Sequence, residues 1–469
     1  MILTFILFLS LFVIVGVSSI FIGKPTKQDY YLASKSISPA LAGLSAVATN
    51  NSGFMFIGVI GYTYVTGLAS IWLMLGWIAG DYLSSTFVHG RLRDATQDTG
   101  EVSFAGVLGR WSGENGNKLQ AVIAAISLIF MLAYASAQLV AGGKALHVLF
   151  EWPSWAGAVI GAVLVMLYCF AGGIRASIWT DAVQSFVMIV AMGILLVVAI
   201  SHLGGISLAI DKLNYIEGFM DWFPKDLALP GLLGGLLFAI SWGFAGLSVI
   251  GQPHIMVRFM ALNEASQMNK ARAWYYLWFA TFYAMATFVG LLSRLYIADT
   301  GAFDAELALP TMALQLLPPA LVGLILAGIF AATISTADSL ILSCSSALTH
   351  DLLPHRVENT RLIKAGTVVI TLTALVWALV NKQSVFSLVV MAWSGLASAF
   401  APLLIVLALG AKPDTRASIF AILAGLSVAL YWRYIGWHHA VYEGMPGILT
   451  GLLILSPYLY DAFKKRPGK

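Results

Sequence analysis

Charge is scarce in this chain. Asp, Glu, Lys and Arg make up only 10% of its 469 residues, whereas soluble domains carry about 25%. Apolar residues make up 59% and the mean hydropathy is +0.86, so too little polar surface remains for an ordinary soluble domain. The two cysteines, Cys169 and Cys344, both lie in apolar runs, and no disulfide framework is expected. The net charge of +4 gives no indication of a nucleic-acid partner.

Long apolar runs are abundant, and many approach the roughly 20 residues that a membrane helix needs. They predict an all-α integral membrane protein with about 13 transmembrane helices. The predicted spans are 2–22, 39–67, 68–88, 118–149, 153–171, 177–202, 229–256, 274–298, 309–349, 362–381, 385–411, 416–436 and 444–463. Residues 2–22 are too long and too uniformly apolar for the core of a signal peptide, so the first span is expected to be retained.

The distribution of lysine and arginine predicts the orientation, because cytoplasmic loops carry an excess of both. With the N-terminus outside, all but six of the 26 basic residues fall on the inside. Arg258 is counted among the inner-loop residues. The six outer ones are Lys144, Lys212, Lys225, Arg294, Lys382 and Arg433. An odd number of spans then places the C-terminal residues 464–469 in the cytoplasm. We expect a multi-pass protein of the plasma (inner) membrane.

Two spans contain residues that favour unwinding near their middle. The second has Ala48–Phe54, and the seventh has Ser241–Gly246 followed by Gly251–His254. Asn, Ser, Gly and Pro weaken the helical hydrogen-bond ladder, and unwound backbone at membrane depth survives only around a cavity or buried in protein. The alternative is that small residues merely allow close helix packing. Two breaks five spans apart favour an inverted repeat with a transport site between them.

Several short segments between residues 25 and 410, in the same order and spacing, resemble the sodium:solute symporter family, most closely its proline-transporting members. They are Leu44–Gly53, Gly90–Arg93, Trp179–Gln184, Gly251–Ile255, Ser335–Thr336, Cys344–Thr349 and Ala392–Gly395. The resemblance implies a single membrane transport domain with two inverted five-helix repeats, 39–203 and 229–411. One extra helix would precede them (1–38) and two peripheral helices would follow (412–469). It also implies sodium-driven import of a small solute by alternating access.

The resemblance further implies a sodium site where carbonyls of the first break meet hydroxyls of the ninth span. The matching positions are Ala48, Asn51, Ala332, Ser335 and Thr336. The last three stand at i, i+3 and i+4, which a helix places on one face. Carbonyl and hydroxyl oxygens suit a hard cation and bury no net negative charge. The alternative for the two hydroxyls is a hydrogen bond to their own helix backbone.

Asp81, Asp181 and Asp338 lie within predicted spans, each at a cost of about 2.5–3.5 kcal/mol at a helix centre. By resemblance, Asp181 lies near the sodium path, and Asp338 and Ser339 follow the sodium site by one turn. We predict that Asp181, Asp338 and Ser339 form a second cation site, with the two carboxylates facing each other across a cation path. A protonated or proton-coupled Asp338 is the alternative. For Asp81 the expected partner is an interfacial arginine, Arg91 or Arg93.

The expected solute pocket is an aromatic box with few polar groups, which suits a small and partly apolar solute. Its members are Asn50, Ser52, Gly53, Phe54, Tyr134, Gln138, Trp242, Phe244, Ser248 and Gln252. Where the family has an acid this chain has Asn50, and Asn51 replaces an apolar residue. Both positions lie beside the expected substrate site. Proline or a related amino acid is therefore the expected solute, and another small carboxylate would fit nearly as well.

Other classes of protein are less consistent with the sequence. An intramembrane aspartyl enzyme would use Asp181 and Asp338 as a pair that shares a proton. No Gly-x-Gly-Asp context, helical metal motif or nucleophile elbow supports an enzyme, so none is expected. A sensory transporter-like protein would carry a signalling module, and the chain ends about six residues after its last predicted span. A channel would need a re-entrant filter motif, which is not evident.

Overall fold

A computed structural model describes residues 1–24, 26–113, 116–297, 301–353, 357–381 and 383–464, except for the side chain of Ala171. Most of these residues lie in helices. Within these ranges the β-pairing is confined to one isolated bridge, Ile37 to Leu262, which confirms the all-α prediction. The helices up to residue 214 are α1 (Ile2–Ser18), α2 (Lys27–Leu32), α3 (Pro39–Asn50), α4 (Ile60–Thr66), α5 (Ile71–Thr99), α6 (Phe104–Trp111), α7 (Asn117–Phe150), α8 (Ser154–Gly172), α9 (Ile174–His202) and α10 (Ile206–Asn214). Those that follow are α11 (Gly231–Leu247), α12 (Pro253–Met260), α13 (Met268–Tyr296), α14 (Ala308–Leu316), α15 (Pro319–Ser346), α16 (Thr360–Val380), α17 (Val385–Ala408), α18 (Thr415–Tyr434) and α19 (Gly444–Lys464).

Ten helical segments of the described chain are long and apolar enough to cross a membrane. One of them, Phe54–Thr99, joins the third predicted span to half of the second. The predicted span 153–171 corresponds to a shorter apolar helix, and 444–463 corresponds to α19, which is not among the ten. The structure therefore supports a multi-pass membrane protein, whereas the count of thirteen spans stays a prediction.

Both predicted helix breaks are present, but the second is shorter than predicted. Helix α3 ends at Asn50, and Asn51 (φ −86°, ψ 58°) leaves the helical region. Helix α11 continues to Leu247, so the predicted break at 241–246 is wrong. A short 3-10 turn follows at Ser248–Gly251, and the backbone leaves the helical region at Gln252 (φ −99°, ψ 101°). Pro253, which lacks an N–H, then begins α12.

The glycines in α11 serve close packing instead of unwinding. A Cβ on Gly246 would lie 2.1 Å from the carbonyl oxygen of Trp77, and one on Gly80 would lie 1.9 Å from the carbonyl oxygen of Gly243. Helices α11 and α5 therefore approach backbone to backbone, as small residues allow in membrane bundles. The packing alternative is correct for this stretch.

The ninth predicted span, 309–349, consists of two helices and not one. Helix α14 ends at Leu316, Leu317 is extended, and Pro318 precedes the first residue of α15. Two consecutive prolines cannot continue a helix, since each lacks the N–H and clashes with the preceding turn. The same residues start the next helix well, because proline is tolerated in a first turn.

Helix α15 lies at the centre of the bundle and contacts α3, α7, α9 and α12. Most of its residues from Val322 to Ser346 are buried, so its polar side chains must find partners inside the protein. Because α3 and α12 are arms of the two broken helices, α15 brings its hydroxyl-rich face to both breaks. Cys169 and Cys344 are buried and free.

One basic residue of the orientation count lies elsewhere than predicted. Arg258 belongs to α12 and its side chain is fully buried, so its assignment to an inner loop is wrong. The charge is tolerated there because its partners come from other helices, which a hydropathy profile does not show. Five basic residues of that count lie outside the described residues: Arg356, Lys382, Lys465, Arg466 and Lys469.

Candidate functional site

Side chains of α7 complete the first break. The N–H of Gly53 donates to Oε1 of Gln138 at 2.9 Å, and the hydroxyl of Tyr134 donates to Oγ of Ser52 at 2.9 Å. The Ser52 hydroxyl also accepts the N–H of Phe54 at 3.1 Å. The structure thus brings together five of the predicted pocket residues, and the freed backbone groups are satisfied as buried groups must be.

The second break is tied to α17. The side-chain amide of Gln252 donates to the carbonyls of Ser248 and Trp393, both at 3.1 Å. Trp393 is fully buried and contacts the ring of Trp77, with centroids 4.9 Å apart. Phe54 contacts Trp77 (5.7 Å) and stacks on Phe386 (5.3 Å). These rings form an aromatic wall beside the first break. Of its members, only Phe54 was predicted to line the pocket.

Several buried polar atoms around the two breaks have no hydrogen-bond partner. They are Oδ1 of Asn51, Nε2 of Gln138, Oε1 of Gln252, both ring nitrogens of His254, and Nε1 of Trp77 and Trp393. The His254 ring also meets the Tyr134 ring, at 5.4 Å between centroids. Buried polar atoms are rarely left unpaired, and such a group needs an explanation. A small solute with its own donors and acceptors would satisfy them.

Two predicted pocket residues, Trp242 and Phe244, lie near the end of α11, and a third, Ser248, directly follows it. Trp242 stacks on Tyr442 at 6.0 Å, and the Tyr442 hydroxyl lies 3.0 Å from the hydroxyl of Ser248. Phe244 is only half-buried, and its carbonyl accepts the Ser248 hydroxyl. These residues meet the loop that follows α18, so their contact with the solute stays a prediction.

The predicted sodium ligands meet at the end of α3. The Ser335 hydroxyl donates to the carbonyls of Ala48 and Ala332, both at 3.2 Å, and the Thr336 hydroxyl donates to the carbonyl of Thr49 at 2.9 Å. The polar side chains of Thr49, Ser335 and Thr336 are fully buried. Hydroxyls and carbonyls in reach of one another offer the hard oxygen ligands of a sodium ion. The Thr49 carbonyl was not among the predicted ligands.

Asn51, the fifth predicted ligand, behaves differently. Its side-chain amide donates back to the carbonyl of Val47 at 3.1 Å, while its Oδ1 is buried without a partner. The bond closes the last turn of α3 and holds the unwound backbone in place. A role of Asn51 in binding sodium stays a prediction.

The two carboxylates of the predicted second cation site are both fully buried. Asp181 accepts the hydroxyl of Ser45 at 2.6 Å, and Asp338 accepts those of Ser177 at 2.9 Å and Ser339 at 3.1 Å. The guanidinium of Arg258 lies in the same cluster, 3.5 Å from Asp181. The sequence analysis missed Arg258, although the neighbouring Gly251–Ile255 segment had been singled out.

Asp81 is not paired with Arg91 or Arg93 as predicted. Arg91 donates to the carbonyl of Ala408, and Arg93 donates to two carbonyls that follow α12. Asp81 instead accepts the hydroxyl of Tyr275 at 2.7 Å, and this hydroxyl accepts the side-chain amide of Asn50. The hydroxyl of Tyr275 on α13 thus pairs with the Asp81 carboxyl within the span, so a distant arginine at the interface is not required.

Replacing Tyr275 by phenylalanine is expected to destabilise the protein by about 1–3 kcal/mol, because buried Asp81 and Asn50 would each lose a partner. Thermal unfolding of the purified variant measures this. The control is Tyr283→Phe in the same helix, whose buried hydroxyl has no partner, so its loss should leave the unfolding temperature unchanged or higher. Equal destabilisation by both changes would contradict the Asn50–Tyr275–Asp81 chain.

Unwound backbone in the middle of two apolar helices, with ion-type oxygens beside it, is the architecture of a membrane secondary transporter. Residues 30–425 match the model of the sodium:solute symporter family. The chain belongs to this family.

Curated relatives and solved structures agree with this. The chain is 29% identical over 440 residues to the sodium/proline symporter of Escherichia coli (strain K12), covering 90% of this chain and 86% of the relative. It is 30% identical over 470 residues to the sodium/proline symporter of Staphylococcus aureus (strain JH9), covering 94% and 88%. A sodium-coupled sialic acid symporter in a substrate-bound outward-open state superposes with a TM-score of 0.79 at 17% identity, covering 99% of this chain and 98% of that one. At that identity the likeness shows the fold.

The comparisons therefore identify a sodium-coupled symporter of the membrane. Its family and its structural neighbours are transporters and not enzymes. Sodium is the coupling ion, and the second substrate is a small molecule. The membrane location follows from the ten apolar helical segments and from the relatives.

Proposed function

We propose that this protein imports proline, or a closely related amino acid, together with sodium by alternating access. The observation that carries the proposal is the contact of Ser335 and Thr336 with the carbonyls at the end of α3, directly beside the aromatic wall around Phe54. Relatives at 29% and 30% identity are named sodium/proline symporters. A pocket with few polar groups and aromatic walls suits a small ring amino acid better than a hydroxyl-rich sugar.

The geometry suggests how sodium and solute are coupled. A sodium ion held by the carbonyls of Ala48 and Thr49 and the hydroxyls of α15 would fix the unwound residues that follow. The hydroxyl of Ser52, whose oxygen accepts from Tyr134 and Phe54, would then be positioned to donate to a solute carboxylate, which a helix N-terminus favours. Sodium thus raises the affinity for the solute, and by thermodynamic linkage the solute raises the affinity for sodium.

The finer layout belongs to the same proposal. It comprises thirteen spans, with residues 39–203 and 229–411 as inverted repeats and the N-terminus outside. The two broken helices support it, since α3 to α4 and α11 to α12 stand five spans apart and each contains a break. Asn50, Phe54, Tyr134, Gln138 and Gln252 would contact the solute.

Ligand-dependent stabilisation tests the proposal. The purified protein is heated with proline, other amino acids or small carboxylates, each in sodium and in potassium. A ligand at 100 times its Kd stabilises the folded state by about 2.7 kcal/mol, so proline is expected to raise the unfolding temperature in sodium only. Uptake of labelled proline into proteoliposomes should then collapse without a sodium gradient. A shift with small carboxylates alone, or an equal shift in potassium, would refute the assignment.

A further inference from the structure

A cavity of about 250 Å³ opens where several helices end on the same side of the protein. Its walls come from the turn that follows α1, from α2, from the last residue of α8 and from the start of α16. A water molecule takes up about 30 Å³ in the liquid, so the cavity has room for about eight of them. It is therefore larger than the voids of a packed interior, and it lies on the side that the lysines and arginines predict to be cytoplasmic.

The charges in the wall of this cavity do not balance. Lys24 and Lys364 both line it, and Asp29 is the one acid among the described residues of its wall. The Asp29 carboxylate is already paired, because Nη2 of Arg175 donates to its Oδ1 at 2.6 Å and the backbone N–H of Lys24 donates to its Oδ2 at 2.8 Å. In the part of the chain that the structure describes, neither lysine forms an ion pair. The wall thus keeps the positive charge of both ammonium groups.

Both lysines have donors left for an anion. Nζ of Lys364 donates to the carbonyl of Phe170 and lies 5.4 Å from the centre of the Phe170 ring. An ammonium group has three donors, and the carbonyl accepts one of them. Lys24 is exposed, and its backbone is held by the bond to Asp29. The two side chains can therefore donate together to an anion in the cavity.

An exposed apolar stripe begins beside the cavity and runs along α1. Its members Ile14, Val17 and Phe21 are exposed, and their spacings of three and four residues place them on one face of a helix. Phe170, near the end of α8, is exposed as well. In a bilayer such a surface meets lipid tails, which are as apolar as leucine. A free phosphate ion would use the lysines alone, whereas a phospholipid would use the lysines and the stripe.

We propose that this cavity binds the phosphate headgroup of an anionic phospholipid, with Lys24 and Lys364 as its cationic partners and the acyl chains along the stripe on α1. Basic pockets between membrane helices on the cytoplasmic side bind headgroups of this kind. The bound lipid would tie the turn after α1 to the start of α16. The described residues of the wall belong to neither helix break, so the inference goes beyond the proposed function.

Thermal unfolding of the purified, delipidated full-length protein in a neutral detergent tests the proposal. Phosphatidylglycerol, phosphatidylcholine with the same acyl chains, and inorganic phosphate are added separately. A ligand that binds the folded protein stabilises it, so phosphatidylglycerol alone is expected to raise the unfolding temperature. The double variant Lys24→Gln with Lys364→Gln should lower its apparent affinity roughly 25-fold, since each lysine near a membrane surface contributes about fivefold.

A matched control removes the same two charges elsewhere. Lys212→Gln with Lys225→Gln changes two exposed lysines on the side predicted to be outer and should leave the affinity for phosphatidylglycerol unchanged. Equal stabilisation by phosphatidylcholine or by inorganic phosphate would overturn the proposal, as would full affinity in the Lys24 and Lys364 double variant. If that variant does not fold, Lys24→Gln alone should lower the affinity about fivefold. The measurement needs neither proline nor sodium, so a failure of the proline assignment is detected separately.

Discussion

Replacing both Ser335 and Thr336 by alanine is expected to abolish sodium-driven solute accumulation. Their hydroxyls contact the carbonyls of Ala48 and Thr49 at 3.2 and 2.9 Å, where the sodium ion is proposed to bind. A hydrogen bond to a charged group is worth about 1.5–3 kcal/mol, and the loss of two comparable oxygen ligands would weaken sodium binding roughly 100-fold or more. Initial uptake rates at varied sodium concentration measure the change.

A matched control separates ion binding from folding. Thr371 of α16 is fully buried, and its hydroxyl donates only to the carbonyl of Thr367, one turn earlier in its own helix. Thr371→Ala should therefore keep the apparent sodium affinity within about twofold, as expected for a bond made within the helix. If Ser335→Ala and Thr336→Ala leave the sodium dependence as unchanged as this control does, the proposed sodium site is incorrect.

The first break was predictable because its residues act locally. Asn50, Asn51, Ser52 and Gly53 compete with the helix through their own side chains or their backbone freedom, and the helix does end within them. The face formed by Ala332, Ser335 and Thr336 was equally predictable, because it depends only on helical periodicity. Features that arise from one stretch of chain can be read from that stretch.

The second break shows where this reasoning ends. Glycine favours unwinding and close packing alike, and only the partner helix decides between them. Gly246 packs against the backbone of Trp77, far away in the chain, so α11 stays helical across a stretch predicted to unwind. Arg258 is similar, since Asp181 and Asp338 lie on two other helices. Long-range partners determine these outcomes, and a single sequence does not show them.

Gly53→Ala is expected to weaken solute binding at least tenfold. A Cβ at this position would lie 2.5 Å from Cγ2 of Thr333, 3.0 Å from Oε1 of Gln138 and 3.1 Å from Cβ of Ala141. Crowding of this kind costs about 1–3 kcal/mol in a packed interior, and here it would also displace the N–H of Gly53 from Gln138. The measurement is the KM for sodium-driven uptake, together with solute affinity in equilibrium binding.

Two companion variants make the cause testable. Gly243→Ala also adds a methyl group to a broken span, but no atom lies within 4 Å of that position, so its KM should be unchanged. Thr333→Ser removes the methyl group that the new Cβ of Gly53→Ala would meet and keeps the hydroxyl, which donates to the carbonyl of Phe330 at 3.1 Å. In the Gly53→Ala background it should therefore restore most of the lost affinity. If it restores none, the loss does not come from crowding at Thr333. Contact of the new Cβ with Gln138 or Ala141 must then account for it, because Gly53 has ordinary helical angles (φ −52°, ψ −20°) that alanine also adopts.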